Sequence, residues 1–245
     1  MGANIRVVKC PTEDEKAEKV VTELLNHKVM QRCEFRDYAV LYRGNFQARV
    51  METKLREFQI PYKISGGQSF FARSEIKDVM AYLRLIINPE DDNAFLRIVN
   101  TPKREIGPST LEKLGSYAQQ RECPMLLACD ELGLGLHVGD RALTRLQEFS
   151  AWIGSTARAI IDGDQPLNAI KQMLLDIDYN DYLLEQSATP QAAERRMESV
   201  NSFLSSVQRL WEKAEDEEDR DIEAVIRKLV LLDLLEQQAE EDDSD

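Results

Sequence analysis

"DYAVLYRGNFQARVMETKL", Asp37 to Leu55, is the stretch on which the reading of this chain turns. It opens as an apolar run, Tyr38-Ala39-Val40-Leu41-Tyr42, meets Arg43 and Gly44, and then adopts a helical period that sets Val50, Met51, Leu55 and Phe58 on one side. An apolar run of this length bounded by a glycine predicts a strand, and the 3.6-residue period after it predicts a helix. The arginine at the corner between them is the residue to explain.

Working outward, Ile5-Arg6-Val7-Val8-Lys9 reads as a short strand, and "TEDEKAEKVVTELLNHKV" as an amphipathic helix with Thr12 as N-cap and Glu15 at the capping-box position. Pro61-Tyr62-Lys63-Ile64 reads as a third strand, closed by Ser65-Gly66-Gly67. Strand, helix, strand, helix, strand is the order of a parallel α/β sheet. After Glu75 the pattern is helical to about Gln237, interrupted at Pro89, Pro102, Pro108, Pro124, Pro166 and Pro190. Ile76, Val79, Met80, Leu83, Ile86 and Ile87 mark one apolar face, and Ala94, Phe95, Ile98 and Val99 the next. The expected fold class is therefore α/β plus all-α: a truncated parallel sheet of about three strands, followed by a helical part. Three strands leave exposed edges, so the sheet looks cut short.

The chain has 245 residues, 43% hydrophobic and 31% charged, a composition that can bury a sizeable core and argues against disorder. No window approaches a membrane span and no charged-then-apolar leader opens the chain, so neither membrane anchoring nor secretion is expected. Cys10, Cys33, Cys123 and Cys129 show no C-x-x-C spacing, and His27 and His137 lack ligand-like neighbours, which points to a reducing cytoplasm and away from zinc. The net charge of −13 divides into +3 over residues 1–113 and −16 over 114–245. The acid belongs to the C-terminal part, above all "EKAEDEEDRD" and the terminal "EEDDSD", so it does not exclude a local nucleic-acid contact earlier in the chain.

In open parallel sheets ligands bind at the carboxyl ends of strands, and Arg43 falls where the second strand is expected to end. A guanidinium offers forked donors to phosphate, and the following helix N-terminus adds positive potential. Tyr42 beside it can stack on a base or pack against the sheet.

"AVLYRGNFQARVMETKL", followed by "IPYKISGGQSFFARSEIKDVMAYLRLIINPEDDNAFLRIVNTPKREIGPSTLEKL", resembles the fourth conserved motif and its downstream companions in superfamily 1A DNA helicases of the UvrD, PcrA and Rep type. "YKISGG", "NPEDD" and "NTPKREIGP" follow the wording of the Rep branch. The match is dense over residues 37–114 and thins to helical pattern and fragments such as "AAERRMESVN".

The resemblance implies two RecA-like motor subdomains, 1A and 2A, that clamp ATP between them, with insertions 1B and 2B. Residues 1–99 would be the first part of 2A, 100–237 the helical 2B insertion and 238–245 an acidic, disordered tail. The strands missing from the sheet would then be encoded after Asp245. Tyr42 would stack on adenine and Arg43 would reach the γ-phosphate as an arginine finger, with Asn45, Gln47 and Arg49 supporting the motif.

DNA contact is expected first in the loop Thr101-Pro102-Lys103-Arg104. Ile106, Gly107, Ser109 and Thr110 form a turn and helix start resembling the hairpin of helix-hairpin-helix modules, although Gly-Pro-Ser-Thr is also an ordinary helix start. Gly66, Gly67, Phe70, Arg73 and Lys77 make a third cluster, in which Phe70 or Phe71 is core as readily as a base platform.

No G-x-x-x-x-G-K-[ST] occurs in the chain, and no acidic residue closes an apolar strand to hold Mg²⁺. ATP and Mg²⁺ are thus expected in the intact enzyme and not on this fragment, which should not hydrolyse ATP alone. The expected function is a fragment of an ATP-dependent 3′-to-5′ DNA helicase of replication or repair. It would be cytoplasmic, with single-stranded and forked DNA and replication or repair proteins as partners. The alternative is a non-catalytic DNA- or protein-binding helical module.

Overall fold

The computed structural model describes residues 6–42, 45–63, 70–212 and 221–231. Among them there is no strand, which overturns the expected parallel sheet: residues 6–10, 38–42 and 60–63 are neither helical nor paired into strands. The apolar runs are genuine, yet Val7 is 83% exposed and Leu41 94% exposed. A helix satisfies its backbone from within its own segment, whereas a strand exists only if a neighbour supplies the ladder. An apolar run specifies the side chains of a strand but not that neighbour.

The helices do follow the sequence. In helix α1 (Glu13–Gln31), the Thr12 hydroxyl accepts from the Glu15 N–H at 3.2 Å, and Glu13, Asp14 and Glu15 face the positive end of the helix dipole. The helix ends at Arg32, whose φ of 54° is left-handed. Helix α2 (Asn45–Glu57) packs on α1 through Val21, Leu55 and Ile60, with Leu24, Leu25, Phe35, Met51 and Tyr62 around them. Val50 and Leu55 are buried as expected, while Phe58 is 41% exposed. Lys54 is buried beside Glu57 at 2.7 Å and Glu18 at 3.7 Å, so its charge is compensated where water is excluded. These elements belong to one compact unit within residues 1–72.

The second unit, Arg73–Leu235, is a helical assembly around α3 (Ser74–Ile87). This helix packs against α4 (Asp92–Ile98), α7 (Asp140–Ile161) and α10 (Pro190–Glu212). Helices α5 (Pro108–Arg121), α6 (Met125–Ala128), α8 (Pro166–Asp176) and α9 (Tyr179–Glu185), with a last helix α11 over 222–231, complete the described part. Ile76, Val79, Met80, Leu83 and Ile86 are all buried, as the spacing predicts.

Being covered on most sides, α3 also buries two carboxylates. Glu75 meets Arg196 of α10 at 3.2 Å, and Asp78 meets Arg97 of α4 at 2.7 Å and accepts from the Tyr179 hydroxyl of α9 at 3.0 Å. Burial pushes the Asp78 carboxyl above the ordinary carboxylate range, against the opposing pull of Arg97 and Tyr179. The same burial, with the Asp78 charge beside it, raises the Tyr179 phenol.

Leu83→Ala should lower the unfolding free energy by about 2–5 kcal/mol, the cost of an incompletely collapsed cavity, in a urea or guanidinium titration. Tyr179→Phe should cost about 1–3 kcal/mol in the same assay, because it takes a donor from a buried carboxylate. A neutral Tyr179→Phe would refute the assignment of that hydroxyl to Asp78.

Candidate nucleic-acid interface

Between α4 and α5 the chain makes a tight loop, and the reason lies in Asn100. Its side-chain NH₂ donates to the Ile106 carbonyl at 2.6 Å, and its Oδ1 accepts from the N–H groups of Arg104 at 3.3 Å and Ile106 at 3.2 Å. One amide thus fastens both ends of the loop. The Thr101–Pro102 peptide is cis, and the Thr101 hydroxyl donates to the Arg97 carbonyl at 3.0 Å.

Arg104 is the centre of this loop, and its guanidinium is turned inward. Nη1 donates to the carbonyls of Ile98 at 2.9 Å, Val99 at 3.3 Å and Pro102 at 3.2 Å. Nη2 donates to the Tyr82 hydroxyl at 2.8 Å, and that hydroxyl in turn donates to the Thr101 carbonyl. The guanidinium carbon lies 4.7 Å from the centre of the Phe149 ring and 5.9 Å from that of Trp152. The last carbonyls of a helix have no partner within it, and here a side chain supplies one. Burial raises the Tyr82 phenol to about 12, with the Arg104 charge opposing, so the hydroxyl stays neutral and serves as donor and acceptor together.

What the loop leaves to solvent is different. Lys103, Glu105, Gly107, Pro108 and Ser109 are exposed and Thr110 is half-buried, while Ile106 is buried and anchors the turn. A Cβ placed on Gly107 would meet nothing within 4 Å, so the space before the first turn of α5 is open. Pro108 opens that helix with Gly107 as N-cap, and backbone N–H groups at such an end favour an anion. Glu105 stands in the middle with a left-handed φ of 56°. Its carboxylate is paired with Arg141 at 3.1 Å and with Arg145, and those contacts hold its carboxyl below the ordinary range. Beside the loop a cleft of about 300 Å³ is lined by Arg104, Arg145, Glu148, Phe149 and Trp152.

The remaining expected site residues lie apart from this loop. Tyr42 is 41% exposed at the end of a non-helical segment. Arg43 falls outside the described residues, as do Gly66 and Gly67. Asn45, Gln47 and Arg49 lie on α2, where Gln47 is half-buried and the side chains of the other two fall outside the description. Phe70 is buried in edge contact with Phe71, ring centres 5.1 Å apart, and its N–H donates to Glu52 at 3.1 Å, a packing role rather than a platform. Arg73 donates to the Ser199 hydroxyl of α10 at 2.8 Å, and Lys77 is half-buried on α3.

Sequence reading missed Tyr82, Asn100, Arg141, Arg145 and Trp152. Only the i, i+4 spacing of Arg141 and Arg145 on one helix face was visible locally. Among the described residues no cluster of His, Cys, Asp or Glu could hold a metal ion, and no helix is long and apolar enough to cross a membrane.

The geometry separates Arg104 from Lys103. Arg104→Ala should destabilise the fold by about 2–4 kcal/mol, since buried carbonyls and Tyr82 lose their donor. Lys103→Ala should stay within about 0.5 kcal/mol, as exposed substitutions do. Thermal or chemical melts of the two variants distinguish them; equal stability would contradict the inward role of Arg104.

Residues 1–130 match the family model described as the UvrD-like helicase C-terminal domain. The whole chain is similar to the ATP-dependent DNA helicase Rep of Salmonella typhimurium, at 43% identity, and to that of Escherichia coli, at 42%, covering 36% of each relative. The ATP-dependent DNA helicase PcrA of Staphylococcus epidermidis is 35% identical over 83% of the chain and 27% of the relative. The chain therefore spans little more than a third of the length of the curated relatives it matches.

Proposed function

This chain belongs to the UvrD-like helicase family, and from that premise we propose that it is part of an ATP-dependent DNA helicase of the Rep type. What carries the proposal is the agreement with Rep helicases along the whole chain at 43% identity. The parent enzyme, on this reading, translocates 3′ to 5′ on single-stranded DNA and opens forked duplexes in replication or repair.

Within the parent, the first residues are assigned to the second motor subdomain and the later helices to the 2B insertion. Tyr42 then stacks on adenine and Arg43 stabilises charge on the transferring γ-phosphoryl, with Asn45, Gln47 and Arg49 supporting them. The partial exposure of Tyr42 is compatible with that role. ATP and Mg²⁺ are held chiefly by residues outside this chain, which lacks a Walker A sequence and does not turn over ATP alone.

The loop from Thr101 to Thr110 is assigned to the DNA backbone. Its free contributors are Lys103, the Gly107–Ser109 backbone and the hydroxyls of Ser109 and Thr110; Arg104 shapes the loop from behind. Gly66 and Gly67 keep the role that the resemblance implies, beside the DNA track, and Lys77 the same.

In the full-length parent, Arg43→Ala should lower kcat for DNA-stimulated ATP hydrolysis by about two to four orders of magnitude, the scale of an arginine finger. Turnover close to wild type would refute the assignment. The 245-residue chain alone should bind forked DNA weakly, with affinity falling as NaCl rises. Micromolar binding that is indifferent to salt would contradict a phosphate-led contact.

A further inference from the structure

Two guanidinium groups converge on one oxygen of Glu105. Arg141 Nη2 lies 3.1 Å from Oε2, and Arg145 Nη2 donates to the same Oε2. Arg145 Nη1 separately donates to the Glu105 backbone carbonyl at 3.0 Å, so the turn is held without any help from the carboxylate. The carboxylate contact is an addition to a loop already fastened by Asn100 and Arg104.

The pair is also open to water. The Glu105 side chain is 56% exposed and that of Arg141 80% exposed, while Arg145, at 24%, is the more sheltered of the two arginines. Exposed ion pairs contribute little to stability and are screened by salt, so the carboxylate can be exchanged for a ligand that makes further contacts. A non-glycine residue rarely takes a left-handed φ, and at Glu105 that conformation aims the carboxylate between the two arginines. An oxyanion reached by one N–H group from each of two guanidinium groups is a setting that a phosphodiester oxygen can also occupy. Lys103 and the open first turn of α5 add positive potential beside it, and Glu148, on α7 near Arg145, is the acidic neighbour that limits it.

We propose that Arg141 and Arg145 form a backbone-phosphate site on α7 and that Glu105 occupies it as a resident competitor, displaced when a nucleic-acid phosphodiester arrives. This inference rests on the assignment of the Thr101–Thr110 loop to DNA and adds to it two ligating residues and a gate. In the unbound chain the carboxylate keeps both guanidinium groups aligned. A ligand has to outcompete it, which weakens capture of isolated anions and favours a backbone that engages Lys103 and the α5 turn at the same time.

The test is fluorescence anisotropy of the 245-residue chain with labelled forked DNA across a NaCl series, with circular dichroism confirming that each variant is folded. Glu105→Gln should tighten binding by about threefold or more and steepen the salt dependence by roughly one unit of log Kd per log salt. Glu105→Gly, which suits a positive φ, should do the same and guards against a backbone artefact. Arg141→Gln should weaken binding and abolish the gain from Glu105→Gln in the double variant. If Lys103→Ala weakens binding while Glu105→Gln leaves affinity and slope unchanged, the loop assignment stands and the competitor is overturned. If Lys103→Ala, Arg141→Gln and Glu105→Gln all leave binding unchanged, the loop assignment itself fails and the gate with it. Inorganic phosphate at matched ionic strength should not reproduce the DNA competition; full displacement by it would make this a free-anion site and overturn the backbone assignment.

Discussion

The Arg104 guanidinium is the constraint on which the second unit depends. A short helix such as α4 ends with carbonyls that its own ladder leaves open; that of the buried Ile98 accepts from the Thr101 N–H at 2.9 Å and takes a further donor. Arg104 provides it at Ile98, Val99 and Pro102, takes the Tyr82 hydroxyl of α3 as a further acceptor, and lays its plane near Phe149 and Trp152 of α7. One side chain thereby joins α3, α4, α7 and the loop. A lysine, with a single point of charge and no plane, could not repeat the pattern.

This use of a basic residue changes how the neighbouring sequence is understood. Arg104 and Lys103 are adjacent and both positive, and a reading by charge alone treats them as equal phosphate contacts. The structure turns one inward, where it is hydrogen-bonded to the loop's own carbonyls, and leaves the other in solvent. The buried carboxylates of α3 obey the same logic. Glu75 and Asp78 are tolerated because Arg196, Arg97 and Tyr179 reach them from three other helices, and such pairs specify how those helices meet more than they stabilise the fold.

The distribution of charge leaves room for the proposed local contact with DNA. A chain of net charge −13 repels a polyanion at long range, but screening limits that repulsion to about 10 Å at ordinary salt. The residues up to 113 are net positive, and the exposed loop lies within them. The paired arginines of α7 add a further positive feature from the acidic portion of the chain, which a count by halves conceals.

The sequence alone was sufficient for the longer helices, for the Thr12 cap and for most of the core, because a helix is a local object whose hydrogen bonds, apolar period and capping residues lie within a few positions of one another. It was also sufficient for the family, since the dense motif from Asp37 to Leu114 is a property of residue order. It was not sufficient for the three short apolar runs, which suggested strands that the described structure does not form; strand pairing is decided by a partner that an apolar run does not specify. Nor could it reveal that Arg104 faces inward, that Phe70 is core, or that Glu105 sits between Arg141 and Arg145. Those facts depend on contacts between residues tens of positions apart, and only the packing of α3, α4 and α7 around one loop decides which charges are used up inside the protein and which are left to meet a ligand.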